Sequence, residues 1–220
     1  MTYPRTRIKI CGLTREADVD AAVRAGADAV GFVLYARSPR HVAVARAREL
    51  ASRLPPFVTP VCLFVNASDD ELAAAIEAIP HLVPQFHGEE SPAACRRIGR
   101  PYLRAARMRA GFDLLDFATK FSEAQAVLLD AHVEGYGGGG KVFDWSLIPP
   151  GVPRPLVLSG GLHAKNVIPG ILQVRPWAVD VSSGVESAKG IKDAGAIHRF
   201  CDAVREADAR RVPDHAASVT

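Results

Sequence analysis

Apolar residues gather along the chain in short runs that recur about every twenty to thirty residues. They are IKIC (8–11), AVGFVLY (29–35), FVTPVCLFV (57–65), LVPQFH (82–87), YLRAA (102–106), AVLLD (126–130), PLVLSG (155–160) and WAVDVS (177–182). Short runs that are apolar at consecutive positions, and rich in Val, Leu and Phe, predict strands buried on both faces.

Polar and apolar residues alternate with helical spacing between these runs. TREADVDAAVRAGA (14–27) predicts a helix capped by Thr14 and ended by Gly26. VARARELASRL (44–54), SDDELAAAIEAI (68–79) with Ser68 or Asp69 as cap, and EESPAACRRIG (89–99) predict further helices. Another is expected from Ala164, after LSGGL. The segment after Asp130 is the exception: a Gly-rich loop leads to DWSLIPPGVP, with room for only a short helix. Strand and helix in alternation, about eight times in 220 residues, predict an α/β fold, a closed (β/α)8 TIM barrel in a single domain spanning 1–220. An open doubly wound sheet would leave residues over. The tail 210–220 is expected to be disordered.

Composition narrows the function classes. With 48% hydrophobic and 23% charged residues the chain has material for one sizeable core, and its net charge of +3 is thinly spread. The basic clusters Arg104/Arg107/Arg109 and Arg205/Arg210/Arg211 lack interleaved aromatics and are expected on solvated faces, so no nucleic-acid partner is implied. No apolar run approaches the length of a membrane span, and the N-terminus lacks an apolar signal segment. Four scattered cysteines, with no paired histidine spacing, give neither a disulfide framework nor a metal site. A cytoplasmic protein is expected.

In a barrel of this kind chemistry gathers at the C-terminal strand ends. That rule selects Cys11, Asp130, Ser159 to Gly161 and Ser182 to Gly184. A lone strand-end cysteine is otherwise a small buried hydrophobe, but Cys11 shares a strand face with Lys9, whose ammonium is expected to lower the thiol pKa toward physiological pH, and a thiolate so placed could be a general base. Asp130 ends an apolar run, where a carboxylate is costly unless paired or working; with Cys11 it would supply an acid and a base, as an isomerisation needs. The glycine turns carrying Gly160, Gly161, Ser183 and Gly184 suit a phosphate, because backbone N–H groups can approach an anion there. The run Gly137 to Gly140 reads as a flap, with Lys141 as a charged donor to the same phosphate. Arg40 could hold a ligand carboxylate in a fork; otherwise it is a surface residue at a helix start.

Together KICGLT (9–14), GADAVGF (26–32), SPRHV (38–42), QFHGEE (85–90), LLDA (128–131), GGGGKVFDWSLI (137–148), LSGGL (158–162) and VDVSSGVES (179–187) resemble the phosphoribosylanthranilate isomerase family, in order from about residue 7 to about residue 205. The resemblance implies a (β/α)8 barrel of tryptophan biosynthesis. It would convert N-(5-phosphoribosyl)anthranilate to 1-(2-carboxyphenylamino)-1-deoxyribulose 5-phosphate by an Amadori rearrangement. No metal or organic cofactor is implied. It implies Cys11 as base, Asp130 as acid, Arg40 on the anthranilate carboxylate and the glycine loops on the phosphate. Lys9, Gln85, His87 and Asp180 are expected to line the site. The partner implied is this small-molecule substrate, in a monomer or homodimer.

The chain departs from the family pattern at Pro84, Gly139 and Val142. Pro84 removes a ladder hydrogen bond from a central strand. Pro149, Pro150, Pro153 and Pro155 read as a rigid connector. Two other readings make different demands. A metal-dependent sugar-phosphate epimerase requires a His and Asp set, and a histidine-pathway isomerase requires a carboxylate in place of Cys11. A noncatalytic phosphate-binding barrel predicts loss of the acid or the base.

Overall fold

The computed structural model describes residues 3–131 and 142–211. Each of the eight predicted strands is followed in the chain by a helix or a short helical turn. In chain order these are β1 (Arg7–Cys11), α1 (Glu16–Arg24), β2 (Ala29–Val33), α2 (Val44–Ala51), β3 (Thr59–Phe64), α3 (Asp69–Ala78) and β4 (Val83–Phe86). They continue with α4 (Pro92–Arg97), β5 (Leu103–Met108), α5 (Leu114–Lys120), β6 (Ala126–Ala131), a 3-10 turn at Trp145–Leu147, β7 (Leu156–Leu158) and α6 (Val167–Val174). β8 (Ala178–Val181) is followed by a 3-10 turn at Ser183–Val185, a small hairpin of β9 (Glu186–Ala188) and β10 (Ile191–Lys192), and α7 (Ala194–Arg210). The eight long-range strands close in order, β1 pairing in parallel with both β2 and β8.

Closure explains the consecutive apolar positions. On β6, Ala126 and Leu128 face the barrel interior with Val61, Leu103, Ala105, Val157 and Ala178, while Val127 and Leu129 pack outward against the helices. The same alternation carries Asp130 to the top of the inner column, and on β1 it turns Lys9 and Cys11 inward. Cys62, Cys95 and Cys201 are fully buried in the outer core, and burial pushes their thiols up to about 12, about 11 and about 11. They are inert packing residues.

Local signals set several boundaries. Ser68 caps α3 in a reciprocal capping box with Glu71, and Ser91 caps α4. Gly26, at φ +84°, ends α1 as expected. Thr14 does not cap α1: its hydroxyl donates to the Gly190 carbonyl (2.7 Å), and Arg15 holds the cap position without a capping bond from its side chain. α6 begins at Val167 rather than Ala164, after a turn in which Asn166 Oδ1 accepts from His163 N–H.

In the cluster Arg104/Arg107/Arg109, Arg109 is exposed as expected, but Arg104 and Arg107 on β5 do not form a solvated face. Arg104 is only 4% exposed; it donates to the carbonyls of Phe86 and Gly88 and lies over the Phe117 and Phe121 rings. Arg107 donates to the His87 carbonyl. In the other cluster Arg205 donates to the Ala25 carbonyl, tying α7 to the end of α1. Arg210 is the last helical residue of α7 and pairs with Glu206, so the expected disordered tail does not include it; 212–220 lie outside the described residues.

Pro84 sits opposite Cys62 in a continuous β3–β4 ladder, and β4 joins β5 through Gln85–Leu103 and Phe86–Arg104. The Pro-rich segment turns at Gly151 (φ +77°) before β7 and lines a cavity of about 600 Å³ with Trp145 and Trp177, on the face where the strands begin. No helix among the described residues is long and apolar enough to cross a membrane.

Candidate active site

Cys11 ends β1 with its side chain 5% exposed, opposite Gly31 on β2. A Cβ on Gly31 would stand 2.6 Å from the Cys11 Sγ, so glycine there gives the thiol its room. The chain then turns at Gly12 (φ +76°), and the N–H groups of Gly12 and Leu13 both donate to the Gly31 carbonyl.

Below Cys11, the Lys9 ammonium donates to Asp180 Oδ1 at 2.7 Å, both side chains being under a tenth exposed. Ser159 Oγ donates to Asp180 Oδ2 (3.1 Å). Burial alone would lower the Lys9 pKa; Asp180 more than reverses this and holds it above the ordinary lysine value. For Cys11 burial is the largest influence and raises the thiol pKa, with Lys9 pulling against it. The expected lowering of the Cys11 pKa is therefore not found. The physical reason is that Asp180 already neutralises much of the Lys9 charge, leaving it too weak to overcome desolvation.

Asp130 ends the inner face of β6. Its Oδ1 accepts from Ala131 N–H (2.9 Å), and its Oδ2 lies 3.1 Å from His87 Nε2. Gln85 Nε2 lies 3.3 Å from His87 Nδ1. The three residues form a buried row rising from β4 to the acid of β6.

Arg40 is not a surface residue. It is 7% exposed and held side-on by Glu186: Nε donates to Oε1 and Nη2 to Oε2, each at 2.7 Å. Lys192 Nζ also donates to Glu186 Oε1 (2.8 Å), and to the carbonyl and hydroxyl of Ser182. Burial tends to raise the Glu186 pKa, but hydrogen bonds from Arg40 and Lys192 outweigh it and hold the carboxyl below its usual range. Burial lowers the Lys192 pKa against the opposing pull of Glu186.

The two glycine loops meet at the mouth. Gly160 and Gly161 have φ of +79° and +63°, and a Cβ on Gly160 would stand 2.6 Å from Ala131 N and 3.1 Å from Asp130 Oδ1. A Cβ on Gly184 would stand 1.9 Å from the Leu162 carbonyl oxygen, so the β7 and β8 loops can approach only because glycine is there. Among the described residues no acceptor takes the backbone N–H of Ser183 or Gly184. Lys141, the run Gly137 to Gly140 and hence Gly139 lie outside the described residues, while Val142 is exposed.

Around the rim the order is therefore Asp130 on β6, the glycine loops of β7 and β8, Cys11 on β1, and Arg40 after β2. The strand-end rule selects Ser159 without giving it a contact, and it does not single out Glu186 or Lys192. Lys192 lies in the short hairpin that turns at Gly190, away from any barrel strand end, where the strand-end rule does not reach it.

A closed parallel barrel with a thiol, a carboxylate, a buried arginine and two glycine loops at its C-terminal mouth defines an enzyme of the (β/α)8 class. The profile of N-(5'-phosphoribosyl)anthranilate isomerase matches residues 8–203. The chain is 77% identical over 206 residues to the N-(5'-phosphoribosyl)anthranilate isomerase of Methylibium petroleiphilum, covering 94% of this chain and 97% of the relative. It superposes on the crystal structure of phosphoribosyl anthranilate isomerase from Thermotoga maritima with a TM-score of 0.85 at 41% identity, covering 91% of this chain and 99% of the other. A phosphoribosyl anthranilate isomerase in complex with reduced 1-(o-carboxyphenylamino)-1-deoxyribulose 5-phosphate superposes with a TM-score of 0.80 at 38% identity, with the same coverage of each chain. The chain belongs to the phosphoribosylanthranilate isomerase family, isomerases of tryptophan biosynthesis.

Proposed function

We propose that this chain converts N-(5-phosphoribosyl)anthranilate to 1-(2-carboxyphenylamino)-1-deoxyribulose 5-phosphate by an Amadori rearrangement, with Asp130 as general acid and Cys11 as general base. The observation that carries this reading is the placement of the acid and the thiol on the inner ends of β6 and β1, with the β7 and β8 glycine loops between them. A sugar phosphate anchored on those loops lies within a span bounded by both groups.

Asp130 gives its proton to the furanose ring oxygen, the C1'–O bond breaks, and the anilino nitrogen lone pair forms the C1'=N bond of a Schiff base. Cys11 then takes the proton from C2'. The C–H electrons become a C1'=C2' bond, the iminium nitrogen is neutralised, and the resulting enolamine tautomerises to the ketone. The raised thiol pKa makes thiolate scarcer but gives it more driving force toward a weakly acidic C–H. Lys9 supplies the nearby positive charge and is itself steadied by Asp180.

The backbone N–H groups of Gly160, Gly161, Ser183 and Gly184 suit the phosphate, with Lys141 as a further cation. Arg40 takes the anthranilate carboxylate, and Gln85 and His87 position Asp130. The reading also places the enzyme in the cytoplasm, with its small-molecule substrate as partner. The test is the fluorescence decay of freshly generated phosphoribosylanthranilate on adding purified protein, with Cys11→Ala alongside. Rapid decay with wild type and background decay with the variant is the expected result; equal decay with both would remove Cys11 from its role. No decay with wild type would overturn the substrate.

A further inference from the structure

The buried charges behind Cys11 do not cancel. Lys9 and Asp180 form one pair, and Asp18 is matched by the guanidinium of Arg15. Three groups remain: the cations Arg40 and Lys192 share the single carboxylate of Glu186. Lys192 has a fully buried side chain, and its three ammonium protons match three acceptors, the Ser182 carbonyl, the Ser182 hydroxyl and Glu186 Oε1. It has no donor left for a ligand. Arg40 differs: Glu186 occupies Nε and Nη2, and among the described residues no protein acceptor takes Nη1.

An Arg–Glu pair on its own is rigid but neutral, and a neutral pair has little attraction for a second carboxylate. Adding a buried ammonium to the far side of the same Glu restores one positive charge to the cluster. A surplus charge out of water is costly until an anion meets it, and Arg40 Nη1 is the donor left to receive that anion. Gly12 ties the cluster to the base, since a Cβ there would stand 2.5 Å from Arg40 Cδ and 3.1 Å from Ser182 Oγ.

We propose that Lys192 is a positioning and specificity residue: through Glu186 it leaves Arg40 held in place yet positively charged, and so makes the site select a substrate whose ring bears a carboxylate. This rests on the assignment of Arg40 to the anthranilate carboxylate.

The test compares two ligands by calorimetry, the reduced product 1-(o-carboxyphenylamino)-1-deoxyribulose 5-phosphate and its counterpart lacking the ring carboxylate. Three variants are used: Lys192→Met, Lys192→Gln and Lys192→Arg. Glutamine can still hydrogen-bond Ser182 and Glu186 but carries no charge. In Lys192→Met and Lys192→Gln the carboxylated ligand is expected to bind about tenfold more weakly while the other is unchanged, and Lys192→Arg restores the preference. Turnover shows the same loss in KM rather than in kcat. Should Lys192→Gln keep the wild-type preference, or should both ligands weaken together, the role is structural and the proposal is overturned. A wild type that binds neither ligand would instead overturn the substrate assignment, which separates the two failures. If Lys192→Met does not fold, the glutamine variant alone decides.

Discussion

His87 Nε2 meets Asp130 Oδ2 at 3.1 Å, and both are nearly closed to solvent. The carboxylate's other oxygen is fixed by its own strand through Ala131 N–H, so one rotamer is held from two sides. Asp130→Asn keeps that shape and removes the transferable proton. Turnover is expected to fall by about 10² to 10⁴-fold with the melting temperature little changed. His87→Phe, which leaves the acid in place but loosens it, is expected to cost less than Asp130→Asn. Equal losses in the two variants would make His87 itself the acid.

The thiol raised by burial has a pH signature. Turnover needs Cys11 ionised and Asp130 protonated at once, so kcat/KM is expected to follow a bell-shaped pH profile whose thiol-set limb lies above the ordinary thiol range. Lys9→Met removes the stronger of the two cations, Lys9 and Lys192, that pull the thiol pKa down, and the thiol-set limb is expected to move further toward alkaline pH. A pH–rate profile of both proteins checks this; an unmoved limb would show that Lys9 does not act on the base.

Gly31→Ala tests the space around the sulfur. The added methyl would overlap Sγ, costing about 1–3 kcal/mol if the strand must shift. The expected outcome is a lower kcat with a detectable fall in melting temperature. Wild-type kcat in this variant would mean that the thiol has another productive rotamer.

Arg40→Ala is expected to raise KM for the carboxylated substrate, and to cost stability as well, because Glu186 would lose its side-on partner in a buried setting. Steady-state kinetics with thermal melts separates the two effects. Unchanged kcat/KM would overturn the carboxylate role.

Asp28 offers a stability test away from the site. Burial tends to raise its pKa, but bonds from Arg5 and from the Ile8 N–H outweigh it and hold the carboxyl below its usual value. The unfolded chain thus binds the proton more tightly than the folded one. The stabilisation is complete above an unfolded pKa near 4 and is lost as pH falls through the lower folded value. The melting-temperature gap between wild type and Asp28→Asn is expected to be constant from about pH 5 to pH 7 and to shrink below about pH 4.

What the sequence revealed follows from where burial leaves a mark. A run such as AVLLD is legible because both faces of a barrel strand are buried, and the acid at its end stands out against that background. The cap of α3 was legible as Ser68 or Asp69, and the reciprocal bond with Glu71, three residues on, makes it Ser68. Arg104 was not: its acceptors are backbone carbonyls of Phe86 and Gly88, which have no sequence signature, so a buried arginine looks like a surface one. Thr14 failed for a similar reason, since its hydroxyl finds Gly190 far along the chain before it finds its own helix. The Cys11 pKa was misjudged because Lys9 is near in sequence, whereas Asp180, which weakens it, is 171 residues away.

Three polar links behind the thiol span most of the chain: Lys9 to Asp180, Arg40 to Glu186, Thr14 to Gly190. The base stands on the first strand and its electrostatic setting comes from the last. A ribosome that has released only the first seven strands has therefore made a Lys9 ammonium without its Asp180 partner and an Arg40 with no carboxylate to hold it. The site is thus assembled late in synthesis, when β8 pairs with β1 and the hairpin bearing Glu186 and Lys192 reaches Arg40 and Thr14.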